Sequence, residues 1–400
     1  MASRGEINKK EIQPILSEKW DVIPFVSSIE NIGTFPKVKT SDCFEEGTYP
    51  VVDQSEKDIT GYINNEELLY KGDLPIIIFG DHTRNIKYVD FPFAAGADGT
   101  KILHTTSILD SKFFYYYLKS LQIPNLGYSR HYSILKQLDV PVPSLNEQKQ
   151  IAEKLDKLFD QIETIKEASN KIPELLKNFR QQVLTYAVTG KLTNSDFAHW
   201  EKSTIGAIGK VKGGKRLPKG EELVNYNTGY PYIRARDLKE GTVLKQNIMY
   251  LLPETQEKIK NYIVKTNDVY ITIVGAKIGD AGIIPESMNN ANLTENAAKI
   301  TDLSEKIMPQ YLSLWLQAPL CQSEIQQSIK SAAQGKLALT RINSLSVCFP
   351  PIESQKEIID KVEYLLGELK IIESKFYQLQ NILGKLPQAL LCKAFKGELL

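Results

Sequence analysis

The sequence is poor in residues that carry chemistry. Its four cysteines, Cys43, Cys321, Cys348 and Cys392, form no Cys-x-x-Cys pair. That spacing excludes a zinc knuckle and a disulfide framework, and implies reduced thiols. The four histidines, His82, His104, His131 and His199, stand singly and far apart, so no metal cluster is expected. Gly190-Lys191-Leu192 and Gly335-Lys336-Leu337 come nearest to a nucleotide-binding phosphate loop but lack its upstream glycines. No glycine-rich cofactor turn opens a βαβ unit, and no Asn-Pro-Pro-Tyr-like methyltransferase motif is present. Asp81-His82-Thr83 has no nucleophile or metal cluster beside it and reads as a structural or contact element. Pro253-Glu254 near Lys258 is the kind of short acidic match to a nuclease pattern that occurs by chance. There is no apolar run of about 18 residues and no signal-peptide pattern, so a cytoplasmic chain with no membrane contact is expected. Net charge is only +1, so any surface for nucleic acid must be local.

What the sequence does have is a duplication. Residues 140–193 and 347–400 align without a gap at a constant offset of 207. Pro143, Gln148, Lys149 and Ile151 face Pro350, Gln355, Lys356 and Ile358, and at the far end Ala187, Gly190 and Leu192 face Ala394, Gly397 and Leu399. Between these ends Ile151, Leu155, Leu158, Ile162 and Ile165 match Ile358, Val362, Leu365, Leu369 and Ile372. Steps of four and three residues are the seam of a coiled coil. A helix of about 40 residues would be roughly 60 Å long and needs a partner for its apolar stripe; the chain supplies one. Pro173 predicts a kink or break near 170–174, where the second copy has Gln380. The outward residues Gln148, Lys149, Gln355 and Lys356 are expected to be exposed.

Each copy follows a β-rich region. Tyr49-Pro50-Val51-Val52 corresponds to Tyr230-Pro231-Tyr232-Ile233, and the apolar run 73–80 to 268–275. Helical stretches are expected at 112–121 and 309–316. The predicted order is a leader over 1–19, a globular domain over 20–142, a helical region over 143–193, a second domain over 194–349 and a second helical region over 350–400. The globular halves have diverged more than the helices, as two domains binding different things on a shared scaffold would.

The clearest basic patch holds Lys210, Lys212, Lys215, Arg216 and Lys219 among glycines and without an acid, followed by Arg234 and Arg236. Such a loop can neutralise phosphates and bring arginine to a guanine edge. A solvated surface loop is the plainer reading. Matching candidates in the first half are Thr83, Arg84, Lys87 and Tyr88, then Tyr128, Arg130 and His131. Lys277, Lys336 and Arg341 complete the set in the second half. Two related domains gripping one duplex are best related by a two-fold axis perpendicular to it. That axis makes their helices antiparallel, so the pair can act as a ruler between two reading heads.

This pattern resembles the specificity subunit of type I restriction–modification enzymes over nearly the whole chain, from Trp20 onward. The resemblance rests on the doubled helix-opening phrase at Pro143–Ala152 and Pro350–Ile358, on Ile76–Phe91, and on Val274–Gly279 with Asn292–Ala298. It implies an α+β chain with two α/β target recognition domains, separated by two long helices that form an antiparallel coiled coil, with an internal pseudo-two-fold repeat. It also implies double-stranded DNA as ligand, two modification (methyltransferase) subunits docked on the helices, and restriction (motor-endonuclease) subunits. S-adenosylmethionine, ATP and Mg would belong to those partners, with no cofactor or catalysis in this chain. Read from residues alone, a coiled-coil adaptor that joins proteins without DNA specificity stands beside this reading. The leader is expected to complete a cycle by packing near the C-terminus.

Overall fold

The computed structural model describes residues 8–97, 99–127, 130–193, 196–330 and 335–400. The chain forms two compact units. The first is Met1–Asn170 with Tyr377–Leu400, and the second is Lys171–Phe376.

The break expected near Pro173 is present. One helix runs Leu145–Ser169 and the next begins at Ile172, with Pro173 in its first turn, and continues to Val188. A proline there gives up an N–H that has no intrahelical partner anyway. The last helix, Ile352–Phe395, passes through Pro387 without interruption. Ser144 caps Leu145–Ser169, its hydroxyl accepting from the Glu147 amide.

In the first unit the early turns of Leu145–Ser169 lie against the final turns of Ile352–Phe395. Ile151, Ala152 and Leu155 share a core with Leu391, Ala394 and Phe395, while at the other end Gln380 Nε2 donates to Ser169 Oγ at 2.8 Å. The pair is therefore antiparallel. The second unit repeats this: Ile358, Ile359 and Val362 share a core with Val183, Leu184, Ala187 and Val188, and Arg180 lies 3.8 Å from Glu373. In both copies the first turns bury two adjacent residues, 151 with 152 and 358 with 359, a wider stripe than a strict coiled-coil seam. The reason is a third body. The same cores take in the domain helices Ser111–Ser120, through Phe113 and Tyr117, and Pro309–Gln317, through Tyr311 and Trp315. This corrects the even seam read from the sequence. Ile151, Leu155, Ile162, Ile358, Val362 and Leu369 are buried as expected. Leu158 and Leu365 are only partly buried, and Ile165 and Ile372 are about half exposed.

The domains share one topology. In the first, Ile76–Gly80 lies between Ile86–Val89 and Thr100–Leu103, all antiparallel. In the second, Val269–Thr272 lies between Ala281–Ile283 and Ala297–Thr301, and Lys210–Gly213 extends the sheet. A second sheet in each half shares a parallel pair, Tyr49–Val52 with Ala94–Gly96 and Pro231–Ile233 with Asn292–Leu293, and in the first half Lys37–Val38 adds another parallel pairing with Ala94–Gly96. A two-stranded antiparallel ribbon leads into each long helix: Asp21–Pro24 with Asp139–Val142, and Glu201–Thr204 with Ser346–Phe349.

The described part of the leader is integral to the first unit. Ile12 is buried in its core, the Gln122 amide donates to Ile12 O, and the Ser17 amide donates to Phe395 O. The cycle read from the sequence is closed there. Gly190 and Gly397, 207 positions apart, both have φ of 76°, a conformation that suits glycine at a helix end.

Candidate nucleic-acid interface

In each domain several loops gather at one end of the central sheet. In the second, Gly213, Ala298 and Thr272 mark that end. The Lys215 amide donates to Leu293 O at 2.8 Å, Ile273 to Asn296 O at 2.8 Å, and Leu337 to Ile273 O at 3.1 Å. Four cations rise from these loops: Lys215, Arg216, Lys277 and Lys336, all exposed. Lys215 Nζ sits 5.4 Å from the Tyr262 ring centre. Arg216 Nε donates to Glu295 at 2.8 Å, and Lys277 Nζ is 4.0 Å from Asp280. An exposed pair of this kind is worth little and is readily exchanged for a phosphate.

The first domain repeats two of these three backbone bonds. The Asp81 amide donates to Gly99 O at 2.7 Å, as Ile273 does to Asn296, and the His131 amide to Asp81 O at 2.8 Å, as Leu337 does to Ile273. Arg130 thus occupies the place of Lys336, and both are exposed. The Arg84 amide donates to Gly80 O, as Gly279 does to Thr272 O. Both residues have positive φ, 66° and 96°, which only the glycine adopts without cost.

Some predicted contacts are not available to a ligand. His131 is fully buried. Its Nδ1 faces Asp81 O at 2.9 Å and its Nε2 accepts from the Leu126 amide at 3.1 Å, which makes it a loop fastener. Lys87 is buried, donating to Lys57 O with Asp53 at 3.9 Å, and burial pushes its pKa down despite the Asp53 and Asp58 charges. Arg234 is spent on a bidentate pair with Asp237, at 2.8 and 2.9 Å, and on Asn247 O. Lys210 pairs with Asp302 at 3.2 Å at the opposite end of the sheet from Lys215. Tyr88 is half-buried under the Lys112 ammonium, 4.4 Å from its ring centre. Burial, with nearby Asp110, Asp90 and Asp156, raises its hydroxyl to about 12. Arg84 Nη1 donates to Ile123 O at 3.0 Å. Thr83 is exposed, its hydroxyl held by Gln54 O. Lys212, Lys219, Arg236 and Arg341 are exposed outside the four-cation group. Tyr128 lies outside the described residues.

The sequence reading missed Lys37 and Lys39. Lys37–Val38 pairs in parallel with Ala94–Gly96, and the Ala97 amide donates to Val38 O. This sets Lys37 and Lys39, both exposed, beside the strand equivalent to Asn292–Leu293, where Lys215 sits in the other half. The signal available was the run Pro36-Lys37-Val38-Lys39. Among the described residues no group of His, Cys, Asp or Glu could hold a metal ion, and no helix is long and apolar enough to cross a membrane.

The expectation that Gln148 and Gln355 are exposed is wrong. Both are fully buried. Gln148 Nε2 donates to Ile108 O at 3.0 Å and Pro143 O at 2.8 Å, and its Oε1 accepts from the Asp110 amide at 2.7 Å. Gln355 Nε2 donates to Lys306 O and Pro350 O, both at 2.8 Å, and its Oε1 accepts from the Met308 amide at 2.8 Å. Lys149 and Lys356 are exposed as expected.

The family model described as the type I restriction modification DNA specificity domain matches twice, over residues 18–174 and 198–381. The chain belongs to that family. Among relatives of this specificity family, the type I restriction enzyme EcoBI specificity subunit of Escherichia coli is 32% identical over 268 residues, covering 60% of this chain and 54% of that protein. The StySPI specificity subunit of Salmonella potsdam is 31% identical over 251 residues, covering 60% and 53%. The chain thus matches about half the length of these curated relatives. In fold, it is similar to a chain solved in work on assembly and conformational transition of the type I R-M system, with TM-score 0.69, 14% identity, and 96% and 99% of the two chains covered. It is also similar to the HsdS subunit of Thermoanaerobacter tengcongensis, with TM-score 0.63, 14% identity, and coverage of 96% and 98%. The two matched segments of the specificity family model each contain one sheet rim and the start of one long helix.

Proposed function

We propose that this chain is the non-catalytic DNA-recognition subunit of a type I restriction–modification complex. Each domain reads one half of a bipartite, asymmetric duplex sequence. The observation that carries this reading is the doubled rim: two diverged loop sets, built on matching backbone hydrogen bonds, each presenting exposed cations. Phosphates would be met by Lys215, Arg216, Lys277 and Lys336 on one rim and by Lys37, Lys39 and Arg130 on the other, while divergent neighbours supply sequence preference.

The helices set the unread spacer and dock two modification subunits, which bring S-adenosylmethionine and methylate adenine. Restriction subunits bring ATP, Mg and cleavage. A 44-residue last helix is about 66 Å long at ~1.5 Å per residue. That is on the order of two turns of B-DNA, at ~34 Å each. The complex would work in the cytoplasm, where its DNA is.

The test is to co-express the chain with its modification subunit and map N6-methyladenine across the host DNA. A split motif with one modified adenine per strand is the expected result, and exchanging residues 20–142 for those of a relative should change one half only. A soluble complex that marks no split motif overturns the reading in favour of a protein adaptor.

A further inference from the structure

The two buried glutamines are absorbed by neither the rims nor the helix seams. Each sits in the first turns of a long helix and makes the same three bonds: one to the carbonyl just before that helix, and two to the loop that opens the domain helix. Each side-chain amide thus satisfies three backbone groups drawn from two segments. An apolar contact resists separation but permits sliding, whereas a three-point amide fixes rotation as well. The domains have diverged around this contact while its geometry is the same in both.

We propose that Gln148 and Gln355 are positioning residues that lock the azimuth of each domain on its own long helix. In this way each governs how faithfully its half of the DNA target is read. The second clause rests on the DNA-recognition reading; the first does not.

The lock is measured in the full-length chain with genetically encoded spin labels at Lys71 and Lys154, both exposed in the first unit. A narrow distance distribution is expected for the parent, and a broadened one for Gln148→Met, which fills the space but leaves three backbone groups unpaired. Gln148→Glu adds a readout that a purely structural role would not move. At about pH 8 its carboxylate faces two carbonyls and the distribution broadens; at about pH 5.5 a buried carboxyl regains its proton, restores one donor bond, and the distribution narrows. If Gln148→Met proves insoluble, the Glu variant's pH response decides alone. Unchanged width in soluble Gln148→Met, or a Glu variant indifferent to pH, overturns the lock.

The same variants are then assembled with the modification subunit. Gln148→Met should lower discrimination against single mismatches about tenfold in one half-site, and Gln355→Met in the other. A broadened distance with an unchanged methylated motif would overturn the role in reading. A parent that marks no split motif overturns the DNA reading itself and leaves the lock to the spin-label result.

Discussion

Leu369 and Leu365 occupy adjacent seam positions of one helix, and the structure assigns them different weights. Leu369 is 2% exposed, whereas Leu365 is partly buried at the margin of the second unit's core. Truncating a fully buried leucine costs about 3 kcal/mol, from lost burial and the cavity left behind. A half-buried one loses about 1 kcal/mol. The second unit has about 200 residues, and an unfolding entropy of ~2.1 cal/mol/K per residue makes that about 0.4 kcal/mol/K. Leu369→Ala should therefore lower Tm by about 7 °C and Leu365→Ala by about 2–3 °C. Thermal melts followed by tryptophan emission read this unit well, because Trp200 and the fully buried Trp315 lie in its core and only Trp20 lies elsewhere. Equal losses from the two variants would refute the reasoning. They would mean that the seam is an even heptad ladder and that the burial of each leucine does not set its energetics.

Other expectations follow from the same geometry. For non-cognate duplex, Lys215→Ala, Lys336→Ala and Arg130→Ala should each reduce the slope of log affinity against log salt by about 1. Lys210→Ala should leave it unchanged, and equal effects would remove the distinction between the two ends of the sheet. Burial, with Glu324 nearby, raises the Cys321 thiol to about 12. Iodoacetamide at about pH 8 should spare it in the folded chain and modify it after denaturation; peptide mass mapping reads both. Burial alone would raise the Asp53 carboxyl, but hydrogen bonds from Ser55 and Thr60 and the Lys87 charge pull it below its ordinary 3.8. A lowered carboxyl contributes stability that is present above 3.8 and lost as pH falls through its folded value. Asp53→Asn should therefore flatten the acid limb of a stability–pH curve for the first unit, and an unaltered limb would exclude Asp53 as a source.

The helices were readable because their periodicity is local: Ile151 and Ile358 announce themselves every three or four residues. Pro173 was readable for a similar reason, since it acts on its own turn. Distant partners were not readable. Whether an arginine is free depends on the acceptor that folding brings to it: Arg84 meets Ile123 O from 39 positions away, whereas the Asp237 that holds Arg234 stands three positions on and was legible. His131 looked like a contact because it follows Arg130, yet its carbonyl partner is Asp81, 50 positions away. Gln148 misled differently. A polar residue at a helix start usually faces water, and only its identical place at Gln355 hinted at a buried task.

The core that joins Phe395 to Phe113 and Tyr117 also has a consequence for biosynthesis. Those rings lie 5.3 and 5.5 Å apart, centre to centre, yet about 280 residues of translation separate their appearance, on the order of 14–56 s at ~5–20 residues/s. The second unit is contiguous, so it needs no residue made after Phe376. The first unit must wait, with its aromatic helix face uncovered, until the last turns emerge. The apolar surface left open in the meantime lies on the half of the molecule that is made first.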